Sequence, residues 1–171
     1  MEKFLARRIS ACLKEINDAS HGFLGNKDWT SSINEHLRNI GQNEFKYAVA
    51  HPGHYGWMFD VAWLDYENFE ERILSRLVLA VESEWQTDVK NLRIDLNKLL
   101  VSKAFLSVLI FQSRATADVD HYLELFEKSI KSINPPYNGS ILFAAYNYTS
   151  KEFDFHFWDG RQISELSHQP A

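Results

Sequence analysis

The stretch Arg76–Trp85 reads RLVLAVESEW, and a short way upstream residues 57–65 read WMFDVAWLD. In the first, Leu77, Val78, Leu79, Ala80 and Val81 form an unbroken apolar segment of strand length that ends in Glu82 and Glu84, the pattern of a buried strand with charges at its exit. Side chains alternate across a strand, so Glu82 and Glu84 are predicted to share a face with Ala80 and Val78, while Leu77, Leu79, Val81 and Ser83 point the other way. In the second stretch Asp60 stands between Phe59 and Val61, on a face with Met58, Ala62 and Leu64. Three carboxylates on two adjacent strands form a set able to hold a hard cation.

Composition bounds what such a site can serve. A chain of 171 residues, 45% hydrophobic and 14% aromatic, has the length of one domain and enough apolar residues for a substantial core. Its net charge of −5 offers no global attraction to nucleic acid, so a polyanion would have to be met by a local basic patch or a metal. The single cysteine, Cys12, excludes an internal disulfide framework and a cysteine-rich zinc site, which suits a reducing cytoplasm. Lys3, Arg7 and Arg8 precede no uninterrupted apolar run, so no leader peptide is expected. The apolar stretch LLVSKAFLSVLIF is too short for a membrane span and contains Lys103.

Outward from the two strands, periodicity assigns the other elements. Phe4, Leu5, Ile9, Cys12, Leu13 and Ile16 recur at helical spacing until Ser20, His21 and Gly22. A second helix carries Ile33, Leu37 and Ile40, with Asp28, Thr30 or Ser31 as its cap, Glu35 inside it and Gly41 as its stop. Phe45, Tyr47 and Val49 alternate in a first strand over residues 45–50. The turn HPGHYG then leads into the strand of Asp60 at residues 57–64. His51 and His54 in that turn raise the question of zinc, but with no third soft ligand nearby they read as turn residues. Residues 66–76, rich in glutamate, form a connection with a helical turn. Beyond Trp85, Asp88 or Asn91 caps a helix with Leu92, Leu96, Leu99 and Leu100 as its stripe, and residues 105–111 form an interior strand, so a parallel crossover is expected. A helix over 118–133 and a hairpin of strands 141–148 and 152–158 follow. In the last strand Phe153, Phe155 and Phe157 are predicted inside and Asp154, His156 and Trp158 on the wetter face. The tail after Gly160 reads as a short extension.

This order, with Asp60 in one strand and Glu82-Ser83-Glu84 closing the next, resembles the PD-(D/E)XK nuclease superfamily over Trp29 to Phe111. The resemblance implies a mixed α/β fold with a restriction-endonuclease-like αβββαβ core at residues 29–112. Around it stand the N-terminal helix at 1–20 and the C-terminal helix and hairpin at 118–160, all in one domain over 1–171. Two residues depart from the family pattern: Phe59 precedes Asp60 where proline is frequent, and Glu84 stands where lysine is usual. Some relatives have glutamate there, and others supply lysine from the following helix. That helix offers Lys98 and Lys103, and Lys98 is preferred, because Lys103 continues the apolar stripe and can snorkel from the helix end.

The resemblance further implies a Mg²⁺- or Mn²⁺-dependent endonuclease acting on DNA, with Asp60 and Glu82 as metal ligands. Glu84 would position or deprotonate the attacking water or join a second metal, and Lys98 would orient the water and stabilise charge. Glu35 resembles an additional acid of some relatives, but a solvent-exposed helix residue is the preferred reading, since glutamate is mostly exposed. Lys90, Arg93 and Arg114 are candidates for phosphate binding, against the plainer reading of a solvated face. Asp95, three residues before Lys98, reads as its helix-surface partner. A catalytically inactive domain of the same fold that binds a protein or nucleic acid is the other functional class. A homodimer or a protein partner is compatible with either class.

Overall fold

Seven strands cross a single mixed sheet in the order in which the chain makes them. The computed structural model describes residues 1–20, 25–51 and 57–167. Its elements are α1 (Glu2–Ser20), α2 (Asn26–Asn39), β1 (Ala48–Ala50), β2 (Val61–Asn68), β3 (Ile73–Glu84), α3 (Val89–Ser102), β4 (Leu106–Ser113), α4 (Thr116–Ser132), β5 (Ser140–Asn147), β6 (Glu152–Trp158) and β7 (Ile163–Glu165). β1, β2 and β3 are joined antiparallel, β3–β4 and β4–β5 run parallel across α3 and α4, and β5, β6 and β7 return to antiparallel pairing. The fold class is therefore mixed α/β, with helices on both faces. No helix among the described residues is long and apolar enough to cross a membrane.

Two apolar cores sandwich the sheet, one on each face. The first packs α1 and α2, through Leu5, Ile9, Leu13, Trp29, Ile33 and Leu37, onto Trp63, Leu79, Val81 and the phenylalanines of β6. The second packs α3 and α4, through Leu92, Leu96, Leu99, Val119 and Phe126, onto Ala62, Ala80, Leu109 and Phe143. Each fully buried Leu, Ile or Phe contributes about 1.5–3 kcal/mol of transfer free energy. Strands β3, β4 and β5 are covered on both sides, which explains their near-continuous apolar sequences. The edge strands β1 and β7 have three residues each, short enough to offer little to a stray strand.

Several sequence expectations need correction. Phe4 is exposed, and the inner face of α1 uses Ala6 and Ser10 instead. Gly25 precedes α2 with no side-chain cap, so Asp28, Thr30 and Ser31 lie inside the helix. Nor does Gly41 stop the chain's winding, because α2 runs on as a π-helical turn, Ile40–Glu44. A Cβ at Gly41 would lie 2.7 Å from the Trp63 indole nitrogen and 2.8 Å from Val49, so close approach to β1 and β2 selects glycine there. β1 is shorter than expected, with Phe45 and Tyr47 outside it yet still packed on the first core. The connection at 66–76 is a hairpin arm: β2 extends to Asn68, β3 begins at Ile73, and Arg72 takes a left-handed φ of 55° in the turn. Register shifts there pair Trp63 with Leu79 but Leu64 with Leu77, so Val78 is bulged. Val78 thus joins the first core and Leu77 the second, the reverse of strict alternation. Trp158 is buried rather than wet, and the tail adds strand β7. His54 lies outside the described residues.

Candidate functional site

β2 and β3 are of unequal reach at this end of the sheet, and that difference sets where Asp60 and Glu82 lie. Asp60 sits in a bend just before β2 rather than within it, and its backbone N–H still bonds the Val81 carbonyl at 3.0 Å. β2 begins at Val61, opposite Val81, while β3 continues to Glu84, which leaves Ser83 without a strand neighbour on that side. The Asp60 carboxylate fills the place: its Oδ2 accepts from both the Ser83 N–H and the Ser83 hydroxyl, each at 2.8 Å. Ser83 itself faces the α2 side, with its hydroxyl 3.5 Å from that of Thr30. Thr30 in turn accepts from the Trp85 indole at 2.9 Å.

Glu82 points to the opposite face, beneath α3, and is 4% exposed. α3 is set by Asp88, which accepts from the Lys90 N–H at 3.1 Å as an N-cap, and by the leucine stripe that seats the helix on β3 and β4. That seating brings Lys98 over Glu82. The Lys98 ammonium lies 2.8 Å from Glu82 Oε2 and 2.8 Å from Asp95 Oδ1, so one lysine serves two acids. Glu82 Oε1 is buried and has no hydrogen-bond partner among the described residues.

Burial pushes the Glu82 carboxyl up to about 8; the Lys98 hydrogen bond opposes the rise and the nearby Asp60 charge adds to it. Desolvation pulls the Lys98 ammonium down, but its hydrogen bonds to Asp95 and Glu82 outweigh this and leave it above its ordinary value. Burial thus favours the neutral Glu82 carboxyl, while the Lys98 ammonium held against it favours the ionised form.

Among the described residues, no group of three or more His, Cys, Asp or Glu side chains is arranged to hold a metal ion. Glu84 follows Glu82 on the same face, but its Oε1 turns back to accept the Gln86 N–H at 2.7 Å. Of the acids expected to hold a cation, Asp60 is engaged by Ser83 and Glu82 by Lys98, which it shares with Asp95. Two carboxylates fit the hard-cation requirement, since Mg²⁺ commonly takes one or two carboxylates and completes its shell with water and phosphate oxygens. The buried Glu82 Oε1, unpartnered among the described residues and near Asp60, is the feature of this chain that fits such an ion.

The other sequence candidates fall in different places. Glu35 is exposed on α2 and lines a small cleft with Asn34, Arg38 and His51. Lys103 is the left-handed C-cap of α3, with φ 54°, and is exposed five residues beyond Lys98. Lys90 and Arg93 are exposed on α3. Arg114 is exposed just past β4 and, with the start of α3, shares the end of the sheet where Glu82 and Glu84 lie, since Glu84 pairs with Phe111 in parallel register. One participant does not stand out in the sequence. Ser83 is a small residue between two glutamates, with no pattern to mark it. Asp95 reads as a surface residue but turns inward to share Lys98, and the i, i+3 spacing of the two is its signal. Comparison of the chain with protein-family models and with curated proteins finds no match.

Proposed function

We propose that the protein is a divalent-metal-dependent endonuclease that hydrolyses DNA phosphodiester bonds, with Asp60 and Glu82 as metal ligands and Lys98 as the fixed positive charge. The observation that carries this reading is the state of Glu82, which is buried, bonded through one oxygen to a helix lysine, unpartnered at the other oxygen among the described residues, and near enough to Asp60 for that charge to raise its carboxyl. A bound Mg²⁺ or Mn²⁺ would supply charge neutralisation at the scissile phosphate and make a water acidic enough to attack it. Glu82 acts as a ligand only when ionised, and Lys98, already charged, keeps the carboxylate oriented while it does so. Asp60 is held for the same task by its two bonds from Ser83. On this reading Lys98 would also stabilise charge developing on the phosphate, the task for which preorganised cations are most effective. Glu84 is the next acid along the strand and the candidate for holding the attacking water. Lys90, Arg93 and Arg114 supply exposed positive charge for phosphates around this end of the sheet.

A second reading is a catalytically inactive domain of the same kind that binds nucleic acid or protein. It is favoured by the prior engagement of Asp60 with Ser83 and by the absence of a third converging acid among the described residues.

Incubation of the chain with plasmid and single-stranded DNA in millimolar Mg²⁺ or Mn²⁺ separates the two. The hydrolase reading expects nicking that is abolished by chelator and reduced at least a hundredfold in both Glu82→Gln and Lys98→Ala. Equal residual cleavage by the native chain and by Glu82→Gln would assign the activity to a contaminant and favour the binding module.

A further inference from the structure

A cleft of about 720 Å³ runs along the outer edge of β1, walled by the π turn and the end of α2 on one side and by β2 and its hairpin arm on the other. Arg38 and Lys46 line it, and neither enters an ion pair among the described residues. Arg38 Nε is buried and has no hydrogen-bond partner among them. Asp65, the acid in the lining, is already bonded to Arg76 at 3.1 Å, so it does little to offset the two cations. Within the lining itself the two cations thus face one acid that is already paired, although the hairpin arm beyond it carries exposed Glu67, Glu70 and Glu71.

Beside the cations stand aromatic faces. Tyr47, Tyr66 and Phe69 all border the cleft. Phe69 is 62% exposed and meets Tyr66 edge-on, with ring centroids 5.6 Å apart and planes at 89°. An exposed phenylalanine bordering a cleft whose lining also holds two cations without ion pairs among the described residues is the pairing by which proteins hold unpaired nucleic acid, with bases stacking and phosphates meeting charge.

The cleft also leads toward the acids. It adjoins a second cleft of about 330 Å³ that shares Arg38 and His51 with it. Ala50 pairs with Ala62, so His51 stands level with the start of β2, where Asp60 lies. From Tyr66 back to Asp60 is six residues, about 20 Å at the strand rise of ~3.3 Å per residue. Ser31, Asn34 and Glu35 at that end offer hydrogen-bond partners to base edges rather than to phosphates.

We propose that this track binds single-stranded nucleic acid, with a base stacked on Tyr66 and Phe69 and phosphates held by Arg38 and Lys46, and that it delivers the strand to the Asp60–Glu82 end. The direction of delivery rests on the hydrolase reading; binding itself does not. Fluorescence anisotropy with a labelled twelve-nucleotide oligothymidylate, in chelator so that no metal contributes, tests it. Native protein and Glu82→Gln are expected to bind alike, with affinity falling as salt rises. Arg38→Ala/Lys46→Ala should bind at least tenfold more weakly, with a salt slope shallower by about 1.4, at about 0.7 for each phosphate left without its cation. Should the buried Arg38 prove necessary for folding, Lys46→Gln alone should lower the slope by about 0.7. Phe69→Ala should weaken binding several-fold with no change of slope.

The failures are distinguishable. If the native chain cleaves DNA while the double variant binds oligothymidylate as tightly as native, the track is overturned and the hydrolase stands. If binding follows these residues but no cleavage occurs with any metal, the track stands and the hydrolase fails. If no oligothymidylate binding occurs even at low salt, the assignment is overturned and an extended peptide paired to β1 becomes the better occupant.

Discussion

On one face of the sheet, two strands carry polar side chains at alternate positions, and the fold treats them in opposite ways. On β3, Glu82 is sealed under α3, given Lys98 at 2.8 Å and left with one oxygen unpartnered. On β6, Asp154 and His156 face α4, with Glu165 opposite on β7 and Asp120 across the cleft, and no basic partner from α4 reaches them. Burial acts in both places. It raises the Glu82 carboxyl to about 8, and it lowers the His156 imidazole despite the attraction of Asp154, Glu165 and Asp120. Acids on a strand therefore do not make a site by number. The β6 region has as many ionisable groups in view of one another, yet of the two only β3 combines burial with a fixed countercharge and an oxygen unpartnered among the described residues.

Removing that countercharge should matter most. Lys98→Met should destabilise the protein by about 3–5 kcal/mol at pH 9, where Glu82 would be left charged and buried alone. At pH 6 Glu82 takes a proton instead, and the loss should shrink to about 1 kcal/mol, the scale of one hydrogen bond. Glu82→Gln in the Lys98→Met background should recover most of the loss at pH 9. On β6, His156→Gln should cost under about 1 kcal/mol at either pH, with every variant measured by urea unfolding.

Titration separates the two regions further, because their groups have shifts of opposite sign. Glu82 is raised in the folded state, so its contribution to stability is complete below its ordinary value of 4.5 and is lost as pH rises through about 8. His156 is lowered, so its contribution is present above its ordinary value of 6.5 and is lost as pH falls through the depressed folded value. Unfolding free energy followed from pH 5 to 9 should therefore flatten between about pH 5 and 8 in Glu82→Gln and below about 6.5 in His156→Gln. An identical profile for native and Glu82→Gln would show that Glu82 does not titrate there.

Glu84→Gln should change stability least, by under about 0.5 kcal/mol, because its carboxylate is half-exposed and bonds only its own chain. A larger loss in cleavage than in stability would mark it as a participant in the chemistry.

Much of this is legible in sequence. The apolar run before Glu82, the leucine stripe of α3 and the Asp88 cap place β3, α3 and β4 correctly, because periodicity and capping are local signals. Lys98 is singled out by the resemblance, as a lysine from the following helix, and the packing of that helix on β3 brings it to Glu82. What sequence does not supply are the breaks in periodicity. The Val78 bulge depends on cross-strand register, the π turn at Ile40–Glu44 depends on Gly41 meeting Trp63, and the turn of Glu84 toward Gln86 depends on where β3 ends. These are tertiary facts with no local pattern. Asp60 shows the mixture: its place among apolar neighbours is visible, but its capture by Ser83 follows only once β2 is known to begin one residue later.

That Asp60 and Glu82 together hold a cation can be tested by the thermal shift it produces. In the native chain, Mg²⁺ or Mn²⁺ at about ten times its dissociation constant should add about 1.4 kcal/mol and raise Tm by about 3–5 °C. His156→Gln should show the same rise, and Glu82→Gln should show none while unfolding with equal cooperativity. A rise kept in full by Glu82→Gln, or one lost in His156→Gln, would contradict the assignment of the cation to Asp60 and Glu82.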